Sequence, residues 1–211
     1  MEDIIQKMVI WALPVLFAIT IHEASHAYAA KYFGDKTAWM LGRCSLNPIK
    51  HIDPFGSILL PLLCLWLGGF VFGWARPVPI NFGALRRPKQ DMLWVAAAGP
   101  ASNLVMAFLW ALLMKASYLL GDSSYAEPLA LMSQAGIIIN ISLMALNLLP
   151  LLPLDGGRIV VSLLPRDLAW KFSRIEPYGM YILVGLMAFG VLGTLMMPLV
   201  RLGYSLISLI L

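Results

Sequence analysis

The sequence predicts an all-α polytopic membrane protein, with about four to six transmembrane helices, a re-entrant segment and short membrane-associated β-strands. Three observations carry that prediction. The 211 residues are 60% hydrophobic and 12% charged, against about 45–50% and 25% in soluble domains, and mean hydropathy is +0.81. The apolar residues form runs long enough to cross the roughly 30 Å hydrocarbon layer as helices. The basic residues collect in short segments between those runs. No stretch is left for a separate soluble domain, so 1–211 reads as one domain, a core of about 5–165 followed by C-terminal helices over about 166–211.

The first helix is expected over about 5–33, ending near Gly34. Its start, Met-Glu-Asp-Ile-Ile-Gln-Lys, lacks the basic region and small-residue cleavage site of a signal peptide, so the helix should be retained. Residues 35–53 are polar and basic, and Thr37 to Leu46, broken by Gly42, suits short strands. Residues 54–73 are apolar but interrupted by Pro54, Gly56, Pro61, Gly68, Gly69 and Gly73, which suits a re-entrant loop or broken hairpin. Within 74–90, Val78 and Ile80 alternate with prolines and predict extended chain. Long helices are expected over about 91–119 and 129–149, the second stopped by Pro150 and Pro153. A short amphipathic helix to about 174 and a last span over about 178–199 follow; 201–211 is too short to cross alone. Cys44 and Cys64 show no paired spacing and read as free thiols.

Charge sets the orientation. Lys31, Lys36, Arg43 and Lys50 follow the first helix; Arg76, Arg86, Arg87 and Lys89 precede the second; Arg158, Arg166, Lys171 and Arg174 follow the third. The positive-inside rule places all three groups in the cytoplasm, provided 54–73 enters and leaves on one side. The net charge of +4 is therefore a topology signal. The expected surroundings are a lipid bilayer, with no nucleic acid. The first and third long helices then both run inward, and their C-terminal parts reach similar depth near the cytoplasmic face.

Those parts carry the chemistry. Residues 22–26 read His-Glu-Ala-Ser-His, an HExxH motif inside the apolar run Met8 to Ala30. An ionisable side chain at mid-span costs roughly 2.5–3.5 kcal/mol and needs a reason to be there. On a helix His22 and His26 share a face, so both imidazoles can reach one metal ion. Glu23 beside them suits a general base acting on metal-activated water. The ligand types favour zinc, one Zn2+ per chain.

A catalytic zinc site wants a third protein ligand and an open position for water. Asp155 follows a helix broken by Pro150 and Pro153 and precedes Gly156 and Gly157, which permit close backbone approach. It can ligate metal, or it can simply cap the next helix. His51 and Asp53 are the other candidates.

With these residues in view, the chain resembles the site-2 protease family of intramembrane zinc metalloproteases. The resemblance rests on the HExxH at 22–26, Ala-Gly-Pro-Ala-Ser-Asn at 98–103 and Asn-Leu-Leu-Pro-Leu-Leu-Pro-Leu-Asp-Gly-Gly at 147–157. Leu-Asn-Pro-Ile-Lys-His-Ile-Asp-Pro-Phe-Gly at 46–56 and Gly-Trp-Ala-Arg-Pro-Val-Pro-Ile-Asn at 73–81 resemble the small bacterial and archaeal branch, without the leading helix, PDZ domain or CBS domain of larger members. The resemblance implies His22, His26 and Asp155 as zinc ligands, Glu23 as catalytic base, and Asn147 as a group that holds substrate or oxyanion. It implies cleavage of membrane-protein substrate helices, as in regulated intramembrane proteolysis, by a multi-pass protein of the prokaryotic cell membrane. Unwound substrate is expected to add as a strand to 37–46 and 76–82. Asn103 and Asn140 are expected to make helix-to-helix hydrogen bonds, and the small residues 96–102 to press the second long helix against the zinc-bearing one. The alternative is a silent zinc-binding membrane protein that binds helices or transports a solute. The intact Glu23 and the scarcity of polar or acidic residues along 91–119 and 178–199, where Lys115 lies near one end, speak against it.

Overall fold

The structure is a computed structural model and describes residues 2–51, 53 and 76–211. Its helices are α1 (Glu2–Tyr32), α2 (Thr37–Met40), α3 (Pro88–Leu119), α4 (Ala126–Asn147), α5 (Asp155–Leu163), α6 (Arg166–Ser173), α7 (Glu176–Ala188) and α8 (Val191–Ile207). Short 3-10 turns lie at Pro48–Lys50 and Phe82–Ala84. Among the described residues α1, α3 and α4 are each long and apolar enough to cross a membrane, and α7 with α8 makes a fourth span if the bent pair counts as one.

α3 is the centre of the bundle. It packs along α4, α1 and α5, while α4 also packs on α1 and α8. Its start is well specified. Pro88 occupies the first turn, where no N–H is missed. The buried Asp91 carboxylate accepts from the Arg87 N–H at 2.6 Å and faces the positive end of the helix. Ala107, Trp110 and Ala111 of α3 form a core with Ile137 and Ile141 of α4 and Ile207 of α8. The opposite faces stay apolar and open, with Trp11, Leu13, Leu16 and Phe17 on α1 and Val105, Leu109, Leu112 and Leu113 on α3 exposed. Bands of this kind belong against lipid.

Four expectations are corrected. Thr37–Met40 is one helical turn, not a strand, because the Asp35 carboxylate accepts from the Thr37 N–H at 2.9 Å and starts a turn. No strand occurs among the described residues, 76–82 included. There the chain is irregular, although Val78 is buried and Pro79 exposed as in extended backbone. The single last span over 178–199 is two helices at 90°, broken at Phe189 and a left-handed Gly190. The amphipathic segment before it is likewise divided, at Leu164–Pro165. The re-entrant segment expected over 54–73, with Cys64, lies outside the described residues.

Candidate metal centre

α1 presents His22 and His26 one turn apart, and α5 brings Asp155 against them. Their metal-facing atoms form a near-equilateral triangle. The two Nε2 atoms are 3.1 Å apart, and Asp155 Oδ2 lies 3.2 Å from His22 Nε2 and 3.3 Å from His26 Nε2. All three residues are buried.

The protons of the rings can be placed. His26 Nδ1 is 2.7 Å from the Val95 carbonyl oxygen, which only accepts, so Nδ1 carries the hydrogen. His22 Nδ1 is 2.6 Å from Asn103 Oδ1. The Asn103 amide nitrogen donates to Ala18 O at 3.3 Å and to Asn140 Oδ1 at 3.0 Å, so its oxygen is the atom facing the imidazole. With the Nδ1 hydrogens so placed, each ring in its neutral form aims an Nε2 lone pair inward. Asp155 Oδ2 is buried and receives no hydrogen bond. With both rings neutral, three electron-pair donors face one another, an arrangement that repels itself unless a proton or a metal ion sits among them. Tetrahedral zinc with bonds of about 2.0–2.1 Å sets its ligand atoms roughly 3.3 Å apart, which matches the triangle. The residues fit zinc.

The surrounding backbone is shaped to this centre. A Cβ on Gly99 of α3 would fall 2.4 Å from His26 Nε2 and 2.6 Å from His22 Cε1, so α3 touches both rings only because that residue is glycine. A Cβ on Gly156 would fall 2.3 Å from Leu149 O, so the turn that delivers Asp155 also needs glycine. Asp155 is the first residue of α5, Leu154 holds the N-cap position, and no side chain caps the helix. The carboxylate points to the histidines and is not a cap.

Of the other expected residues, Glu23 accepts from the Val78 N–H at 2.9 Å through Oε2. Asn147 donates from Nδ2 to Leu143 O at 3.0 Å within its own helix. His51 is buried in its loop and bonds Ser45 O through Nε2 at 2.7 Å. Among the described residues the metal-suited cluster consists of His22, His26 and Asp155. Sequence reasoning gave Asn103 an interhelical role only. It performs that role and also holds the Nδ1 hydrogen of His22. Replacing Asn103 by Leu is expected to weaken zinc retention by about 10–100-fold. Asn103→Asp, which keeps the acceptor for His22 but sets a carboxylate oxygen against Ala18 O and Asn140 Oδ1, should retain more zinc than Asn103→Leu. Competition with a chelator in detergent measures both; equal retention in all three proteins would remove Asn103 from the site.

Comparison with known proteins identifies the family. The sequence profile of Peptidase family M50 matches residues 10–121 and 115–190. The chain is 41% identical over 170 residues to "Putative zinc metalloprotease YwhC" of Bacillus subtilis, a match covering 79% of this chain and 74% of that protein. It is 34% identical over 142 residues to "Putative zinc metalloprotease Rip2" of Mycolicibacterium smegmatis, covering 67% of this chain and 52% of that one. Rip2 of Mycobacterium tuberculosis is 32% identical over 145 residues, again 67% of this chain and 52% of its own length, so the chain spans about half of the Rip2 proteins. No solved structure matches the chain. The matched range runs from the HExxH helix through α3 and the Asp155 turn into α7, and the chain belongs to peptidase family M50, the site-2 protease family.

Proposed function

We propose that the protein is an intramembrane zinc metalloprotease that hydrolyses peptide bonds in or near transmembrane helices of other membrane proteins, as in regulated intramembrane proteolysis. The observation that carries the reading is the tight triangle of His22 Nε2, His26 Nε2 and Asp155 Oδ2, buried at an apolar helix with a carboxylate next in sequence. The names of the relatives point the same way.

A zinc ion held by His22, His26 and Asp155 supplies a water of lowered pKa and a Lewis acid for the scissile carbonyl. The remaining work falls to the chain. Glu23 takes the proton of the attacking water and delivers it to the leaving amine, which restores the carboxylate. The Val78 amide holds Oε2 in place and leaves Oε1 to carry the proton. The Asn147 amide now bonds Leu143 O; turned toward substrate, it donates to the oxygen that gains charge, a contribution typically worth about 2.7–4 kcal/mol. Water reaches the centre from the cytoplasmic side, where the basic loops lie, in a multi-pass protein of the cell membrane.

The test uses proteoliposomes holding the purified chain and a single-span membrane protein, tagged at both ends, with a glycine pair at mid-span as probe. Wild type should carry one zinc per chain and cut the probe. Stripping with phenanthroline should stop cleavage, and added zinc should restore it. A zinc-free wild type, or cleavage indifferent to stripping, would overturn the reading.

A further inference from the structure

Arg43 is nearly buried and, among the described residues, makes no ion pair. A guanidinium taken out of water without a counter-charge is costly, so what it holds matters. One terminal nitrogen donates to Lys50 O. The other donates to Arg76 O at 2.7 Å and, more weakly, to Pro77 O at 3.4 Å. Burial and the neighbouring Arg76 push its pKa down, while the charge of Glu23 pushes it up. The fork thus gathers two separate stretches of loop at a place that feels the Glu23 carboxylate. The Arg76 N–H adds a bond to His51 O at 3.0 Å.

The next residue after the clamped peptides is Val78, whose N–H holds Glu23 Oε2. Pro77 and Pro79 have no N–H, so this amide is the one backbone donor in that tripeptide. Farther along, the Asn81 N–H donates to Asp35 Oδ2 at 2.7 Å, and Asp35 Oδ1 takes the Thr37 N–H. Asp35 is fully buried. The 76–81 strap is therefore pinned at each end by a buried charged side chain acting on backbone. Its middle holds the carboxylate that follows His22.

We propose that Arg43 and Asp35 are positioning residues for Glu23: they fix the strap so that the Val78 amide orients the carboxylate toward the reacting water. The inference rests on the reading of Glu23 as base. A carboxylate free to sample rotamers spends less of its time in the productive one, so fixing it raises the rate without a new contact to substrate. Arg43 suits the task because its rigid planar fork sets two terminal nitrogens apart at fixed angles, one for each stretch of loop, whereas a lysine is a single flexible point charge.

The test is a double-mutant cycle read by amide hydrogen exchange of the strap in the full zinc-loaded chain. Arg43→Gln and Glu23→Ala should each speed exchange over 76–81 by about tenfold or more. The double variant should fall well short of the product, because either change frees the same amide. Asp35→Asn, which keeps a single acceptor oxygen, repeats the cycle from the other end should Arg43→Gln fail to fold. On the probe above, Arg43→Gln should lower kcat by about tenfold or more with KM and zinc content near wild type, and Arg43→Lys should recover part of the loss. Effects that multiply independently, a strap still protected in Arg43→Gln, or a change confined to KM would overturn the proposal. A coupled strap in a chain that never cuts the probe would leave the clamp standing and remove the protease reading instead.

Discussion

Glu23→Gln should cut the probe about 10²–10⁴-fold more slowly than wild type while carrying the same single zinc. The substitution is nearly isosteric. Its amide oxygen can still accept from Val78 N–H, and none of the three ligating atoms changes. What disappears is the ability to take a proton from water and return it to the amine. The comparison therefore isolates proton transfer from metal binding, provided zinc per chain and turnover are measured on one preparation. A residual rate within tenfold of wild type would place the base elsewhere.

Asp155→Ala should lose the metal. His22 and His26 alone leave a two-ligand site on one helical turn, and zinc sites ordinarily use three or four protein ligands. The loss should exceed the roughly 10–100-fold that removal of an outer hydrogen-bond partner costs. Dialysed protein should then retain no zinc and show no cleavage. In metal-free protein the sign reverses. With both rings neutral, wild type keeps a buried carboxylate oxygen beside two lone pairs, and Asp155→Ala removes that repulsion. Stripped Asp155→Ala is thus expected to melt no lower than stripped wild type, and zinc should raise Tm only in wild type. Full zinc in Asp155→Ala would return the third-ligand role to His51 or Asp53.

The legible parts of the centre were those encoded locally. An i, i+4 histidine pair states its geometry within a few residues, so His22 and His26 could be paired directly, whereas Asp155 stood as ligand or cap, beside His51 and Asp53, until the fold brought it to the histidines. The groups that orient them could not be read. Asn103 is 81 residues from His22 in the chain, and nothing in the sequence says which amide faces which ring. Val95 contributes through a backbone carbonyl, which carries no side-chain signature at all. The same limit explains the missed turn at Thr37–Met40. The alternation from Thr37 to Leu46 suggested strand, but the Asp35 side chain, shared between Thr37 and Asn81, settles the local backbone. Long spans survived translation well because hydropathy over twenty residues outweighs local preference. The 178–199 run is the exception, since one left-handed glycine turned a continuous apolar stretch through a right angle.

The order of the proposed ligands along the chain has a meaning for biosynthesis. His22 and His26 are translated early, the α3 groups that orient them come next, and Asp155 arrives only after α4 has been made. A growing polypeptide exposes its N-terminal part first. Until the Asp155 turn enters the bilayer, the nascent protein offers two histidines and no complete cradle for an ion. On the proposed reading it stays harmless beside the half-inserted helices of its neighbours, and it arms itself only when its last ligand has been delivered.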